Sequence, residues 1–192
     1  MRIRHTHTIL GTIFCVMISA GNADAEQKIV SEVRFGVYQH DTGIIGRHKE
    51  AGVDFAFEGL SRPLTALSLI GSPRIVVGGV VNSAGKTDQL YAGLTAERNF
   101  VRSVFTRGDA FFIEGTVGGD WNDGKIDVTG TPLEEHWKSH GSHFLFRIGW
   151  GVGYRINSTW SVALSFNHIS NAGLADRNEG MNDLGLRVGM RL

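Results

Sequence analysis

The stretch from Phe144 to Ser170, FLFRIGWGVGYRINSTWSVALSFNHIS, decides the fold. Read with a period of two, Phe144, Phe146, Ile148, Trp150, Val152, Tyr154 and Ile156 share one face, while Arg147, Gly149, Gly151, Gly153 and Arg155 share the other. Successive side chains of a strand point to opposite sides, so the pattern is that of a strand with one oily and one polar face. Asn157-Ser158 makes a tight turn, after which Trp160, Val162, Leu164 and Phe166 alternate with Ser161, Ala163, Ser165 and Asn167. Two long antiparallel strands are expected here.

The same alternation recurs outward from this pair. Leu184, Leu186, Val188, Met190 and Leu192 oppose Asp183, Gly185, Arg187, Gly189 and Arg191; Val33, Phe35 and Val37 oppose Glu32, Arg34 and Gly36; Val53, Phe55 and Phe57 oppose Asp54, Ala56 and Glu58. Weaker runs at Pro73–Val81, Asp88–Arg98 and Ala110–Gly119 bring the expected total to eight strands. The 192 residues hold 26 glycines and 3 prolines, which disfavours both long helices and disordered linkers and fits one all-β domain.

Two closed architectures use eight such strands: a soluble barrel turns the oily face inward, and a membrane barrel turns it toward lipid. The polar face carries Glu32, Asp54, Glu58, Glu97 and Glu114 with Arg34, Arg147, Arg155, Arg187 and Arg191, a balanced set that suits a closed interior of paired ions. An eight-stranded antiparallel up-and-down transmembrane β-barrel with a filled polar interior and no pore is therefore expected. Counting connections from a periplasmic N-terminus puts the longest one, Asp120 to Ser142, outside.

The N-terminus supports export. Arg2 and Arg4 precede an apolar run from Ile9 to Ala20, and Ala23-Asp24-Ala25 supplies a small-x-small cleavage site, so residues 1–25 read as a signal peptide and 26–192 as the mature barrel. The single cysteine, Cys15, falls inside that leader, which removes disulfide and thiol chemistry from the mature chain. Lys plus Arg and Asp plus Glu number 19 each, so no basic footprint invites nucleic acid.

Chemistry gathers at the far end of the strand from Trp160. Its oily face continues through Phe166 to His168 and Ser170, two residues apart on one side, with Cβ atoms roughly 7 Å apart on pleat geometry. An imidazole beside a hydroxyl can accept the hydroxyl proton during attack on an ester and return it to the leaving alcohol. Asn171 follows, with a side-chain amide able to stabilise an oxyanion. The plainer reading is that polar residues simply mark where a strand leaves hydrocarbon.

The segment His168-Ile169-Ser170-Asn171-Ala172-Gly173-Leu174, then Asn178-Glu179-Gly180 and the closing Leu184-Gly185-Leu186-Arg187-Val188-Gly189, resembles the lipid A 3-O-deacylase family of Gram-negative outer membranes. The resemblance implies a serine hydrolase site on the outer wall of an integral outer-membrane barrel. It implies a lipid A or lipopolysaccharide substrate cleaved at the position-3 ester, and no cofactor or metal. Ser170 would be nucleophile, His168 general base, and Asn171 with nearby backbone amides the oxyanion hole. The family's pattern places a glutamate fourteen positions after the histidine, where this chain has Asn182. An amide fixes a tautomer but does not stabilise an imidazolium. Asp183 and Glu179 are the rival third members, and parity points Asp183 into the lumen.

Other signals are weaker. Glu134-Glu135-His136, His140 and His143 contain metal-ligand residue types, but a hydrated loop holds no such spacing on one face. Gly85-Lys86-Thr87 lacks the earlier glycine of a phosphate loop, since position 80 is Val80. The competing functions are a non-enzymatic barrel of the adhesion or membrane-integrity type, an inactive homologue, and a soluble periplasmic ligand binder. Restraint of an enzyme embedded in its own substrate would come from a homodimer or from lateral shielding by lipid. Outer-loop cations Arg47, Lys49, Lys125, Lys138 and Arg177 are placed to meet lipid phosphates.

Overall fold

A computed structural model describes residues 29–192; the leader assigned to residues 1–25, with Cys15, lies outside the described residues. Eight strands follow in order: β1 (Val30–Gln39), β2 (Val53–Ser61), β3 (Arg74–Asn82), β4 (Gln89–Arg102), β5 (Ala110–Asn122), β6 (Phe144–Arg155), β7 (Trp160–Ser170) and β8 (Met181–Arg191). Each pairs antiparallel with the next, and β8 returns to β1 through Phe35 opposite Val188, closing the barrel. One end carries the connections 62–73, which contains a 3-10 helix at Thr65–Ile70, then 103–109 and 156–159. The other carries loops L1 (40–52), L2 (83–88), L3 (123–143) and L4 (171–180).

The period-two pattern points outward as expected. Phe35, Phe55, Ile113, Phe146, Trp150 and Leu186 are all exposed on the wall, and Trp150 stacks on Phe166 with ring centroids 4.6 Å apart. Such a wall is costly in water and favourable in hydrocarbon. Inside, Arg34 Nε meets Glu32 at 2.5 Å and its Nη1 meets Glu114 at 2.7 Å, Arg187 pairs with Glu114 and Glu58, and Arg147 reaches Asp120 at 3.2 Å. Arg191 is the least buried of the expected interior set, sitting at the mouth 3.6 Å from Glu32. Pairing compensates most of these charges, as burial requires, although Asp120 Oδ1 and Arg155 Nη1 are buried without a hydrogen bond among the described residues.

Tyr91 donates to Glu58 at 2.8 Å and lies under the Arg147 guanidinium at 3.8 Å, so rings also fill the lumen. Glycines make that fit. A Cβ at Gly78 would stand 2.6 Å from the Tyr91 ring, and one at Gly153 would overlap Phe112.

Several strands run further than the pattern indicated, β4 and β5 by the most at their C-terminal ends. β4 extends to Arg102 because a bulge between Asn99 and Val101 leaves Phe100 and Val101 both exposed, which breaks the alternation beyond Arg98. β5 continues through Asp120, Trp121 and Asn122, with Asp120 and Asn122 inside and Trp121 outside, so L3 begins at 123 rather than 120.

Candidate active site

His168 and Ser170 leave β7 on the outer wall. Their partners across β6 are Ile148 and Phe146, both exposed, while the intervening Ile169 is buried inside. Parity places the imidazole and the hydroxyl at the loop end of the apolar face. Both line a cavity of about 420 Å3 whose other walls come from L1 (Ile45, Gly46, Arg47), L3 (Lys138) and L4 (Asn178, Glu179, Gly180). Among the described residues no hydrogen bond joins His168 to Ser170; such contacts commonly tighten only when substrate is bound.

One of the three rivals touches the imidazole. Asn182 faces His168 across the β7–β8 ladder, and its Oδ1 lies 2.8 Å from His168 Nδ1. Asp183 points into the lumen, where its carboxylate accepts from Asp41 N at 3.2 Å and Gln89 Nε2 at 3.2 Å. Glu179 pairs with Lys49 at 2.6 Å and accepts from Ser139 N at 2.7 Å. These bonds with Lys49 and Ser139 hold its carboxyl below the usual carboxylate range in spite of partial burial. Glu179 thus joins three loops instead of orienting the base.

Asn171 also departs from its expected part. Its Nδ2 donates to His140 O at 2.8 Å and Arg177 O at 2.5 Å, and its Oδ1 accepts from Gly173 N at 2.9 Å. Both amide hydrogens are spent on loop carbonyls, so the side chain holds L3 to L4 and is not free to meet an oxyanion. Gly180 has a local role: a Cβ there would stand 2.8 Å from His168 Cε1, so only glycine lets L4 pass the imidazole edge. Gly180→Ala should fold normally yet lower turnover about tenfold by displacing the ring, and equal kinetics for variant and wild type would refute this.

The loops form an ordered lobe. Lys138, buried in L3, donates to Arg47 O at 2.5 Å and Gly180 O at 3.1 Å and pairs with Asp41 at 3.2 Å. His140 is buried with Nδ1 3.1 Å from Glu179 O, and desolvation pulls its pKa below the ordinary value. The expectation of a wholly solvated L3 is corrected by this burial; His136 alone of its three histidines is exposed.

A cluster missed in the sequence lies beneath: His40 Nδ1 is 2.8 Å from Asp54 and its Nε2 is 3.3 Å from Glu50, with Asp183 3.9 Å from Nδ1. Single-atom ligands of His40, Asp54 and Asp183 lie within 4.8 Å of one another, spacing that could suit a cation. Burial disfavours the charged imidazole, but the Asp54 and Glu50 carboxylates override it and push its pKa up to about 10, so an imidazolium already occupies the cationic role. No sequence spacing could reveal it, because residues 40, 50, 54 and 183 converge from three elements.

Glu50 is correspondingly held down at about 2, against burial, by His40, by Lys138 N and by Thr87. The contribution of His40 is complete below its ordinary value of 6.5 and is lost as pH rises toward 10, while that of Glu50 is complete above 4.5 and is lost as pH falls toward 2. Together these two groups contribute most between about pH 4.5 and 6.5, whereas His140, buried and held neutral, draws the other way as pH falls below 6.5. Thermal unfolding in detergent should show a gap between wild type and His40→Gln that narrows from pH 6 to pH 9; a widening gap contradicts the assignment.

Comparisons with known proteins bear on the family and the fold. A family model described as lipid A 3-O-deacylase (PagL) matches residues 88–191. A crystal structure of the outer membrane enzyme PagL aligns with TM-score 0.60 and 17% identity, over 84% of this chain and 100% of that one. Neisserial surface protein A (NspA) aligns with TM-score 0.50 and 12% identity, over 84% of this chain and 96% of that one. No curated protein matches the chain. At these identities the two structures speak for the fold alone.

Proposed function

Because the chain belongs to the lipid A 3-O-deacylase family of the Gram-negative outer membrane, we propose that it hydrolyses the position-3 acyl ester of lipid A by serine esterase chemistry at Ser170 and His168. The observation that carries this reading is the cavity on the oily wall, at the loop end, into which both side chains open. A substrate anchored in the outer leaflet meets such a site without leaving the membrane.

His168 Nε2 takes the proton of Ser170 Oγ as Oγ attacks the acyl carbonyl, and the tetrahedral intermediate expels the sugar oxygen, which receives that proton. Water then attacks the acyl-enzyme, its proton passing to Nε2 and on to Ser170 as the fatty acid leaves. Asn182 orients the imidazole through the bond between Oδ1 and Nδ1. In serine hydrolases exchanging the acid for an amide costs about 10⁴-fold when it imposes the wrong tautomer. Here the oxygen faces the ring, so what is given up is the charge that steadies the imidazolium. The Asn171 side chain being engaged elsewhere, the oxyanion must draw on other donors at the cavity.

Lipid A extracted from a Gram-negative host expressing the wild-type chain and analysed by mass spectrometry should gain a species lacking one 3-linked acyl chain. An unchanged profile would favour the non-enzymatic barrel.

A further inference from the structure

We infer that docking of L1 against the barrel wall selects the reactive tautomer of His168, acting through the Asn182 amide. The inference rests on the esterase reading above. It makes Ile45, by its backbone carbonyl, a positioning residue for the reaction.

Asn182 Nδ2 donates to Ile45 O at 2.6 Å, and Asn182 Oδ1 lies 2.8 Å from His168 Nδ1. A carbonyl oxygen only accepts, so the amide end facing Ile45 must be the NH2 group. A flipped amide would set oxygen against oxygen at that separation. The end facing the ring is then an oxygen, which needs a donor, so Nδ1 carries the imidazole proton and Nε2 keeps its lone pair. A bare Nε2 is what proton abstraction from Ser170 requires.

Remove the Ile45 carbonyl and the constraint disappears. The amide can then turn its NH2 to the ring, which stabilises a neutral imidazole protonated at Nε2, and that form cannot act as base toward the cavity. A carboxylate at position 182 would enforce the correct tautomer unaided, because it only accepts. With an asparagine there, the base is competent only while L1 is docked.

L1 is built to dock. Thr42 N donates to Asn182 O at 2.7 Å, Lys49 reaches Glu179 of L4 at 2.6 Å, and Lys138 of L3 holds Arg47 O at 2.5 Å. The tip, Ile44 and Ile45, is 60% and 50% exposed beside the apolar wall, so the same loop touches both the lipid phase and the catalytic relay. That placement makes turnover conditional on the seating of L1 at the membrane surface.

The test is a double-mutant comparison on the full barrel in detergent, with lipid A as substrate. Deleting residues 44–46 also removes part of the cavity wall and so weakens both parents, but the loss in kcat should be about fivefold larger in the wild-type parent than in an Asn182→Asp parent, where the tautomer no longer depends on the loop. Lys49→Ala, which cuts the tie from L1 to L4 and keeps the chain length, should show the same asymmetry and serves should the deletion fail to fold. In parallel, the imidazole nitrogen NMR shifts of His168 should report a protonated Nδ1 in wild type, a mixture of tautomers after the deletion, and a protonated Nδ1 again when the deletion is combined with Asn182→Asp. Equal costs in the two parents, or a protonated Nε2 in wild type, would overturn the inference. The NMR reading does not need turnover, so it stands apart from the esterase reading, which is lost if Ser170→Ala leaves deacylation intact.

Discussion

Ser170→Ala should abolish fatty acid release from lipid A, lowering kcat by about 10⁴-fold or more, while the barrel still folds. The size of the effect follows from chemistry: without Oγ there is no acyl-enzyme, and the direct attack of water must proceed without a positioned nucleophile. The fold should tolerate the change because Ser170 ends β7, is only half-buried, and its hydroxyl takes part in none of the hydrogen bonds seen among the described residues. His168→Ala should cost nearly as much, and the double variant no more than either single one, since the two act as a unit. Fatty acid released from lipid A micelles, quantified against time, is the measurement. Activity within tenfold of wild type would remove Ser170 from the mechanism.

The second large effect concerns the interior. Glu114 lies between Arg34, 2.7 Å from its Nη1, and Arg187. Removing it as Glu114→Ala takes the nearest carboxylate from the buried Arg187 and leaves the buried Arg34 with Glu32 as its one close partner, at 2.5 Å. Breaking a buried pair from one side costs about 3–5 kcal/mol, because the remaining charge has lost its compensation and has no water to turn to. The nearby Glu58, 3.4 Å from Arg187 and 3.7 Å from Arg34, recovers only part of this. Urea unfolding of the purified protein in lipid vesicles should show the loss, or the variant should fail to assemble. A change below about 1 kcal/mol would mean that the lumen is wetter than its packing indicates. Replacing Arg34, Glu58, Glu114 and Arg187 together by apolar residues of similar volume should be better tolerated than the single change, because Glu32 keeps Arg74 at 2.6 Å and no carboxylate of the cluster is left without a cation.

These two predictions had unequal footing in the sequence. The alternation of β6 and β7 is a local property, so the oily wall, the polar lumen and the outward direction of His168 and Ser170 could be read from parity alone. The inward direction of Asp183 was legible for the same reason. Parity failed at Phe100, where a bulge adds a residue and the pattern loses its period. It also gave no guidance on Asn171, whose amide finds carbonyls of His140 and Arg177, or on Lys138, a surface-type residue that the fold buries among Asp41, Arg47 and Gly180.

From the sequence alone came a closed sheet with a greasy exterior and a histidine and a serine side by side on it, because strand geometry turns spacing in the chain into direction in space. The tertiary structure decided which of three candidates touches the histidine and what touches that group in turn: Asn182 rather than Asp183 or Glu179, with its amide bonded to a carbonyl 137 residues away. Hydrogen-bond roles are settled by the partner that arrives, and in a barrel roofed by loops those partners come from distant strand connections whose meeting leaves no periodic mark in the chain.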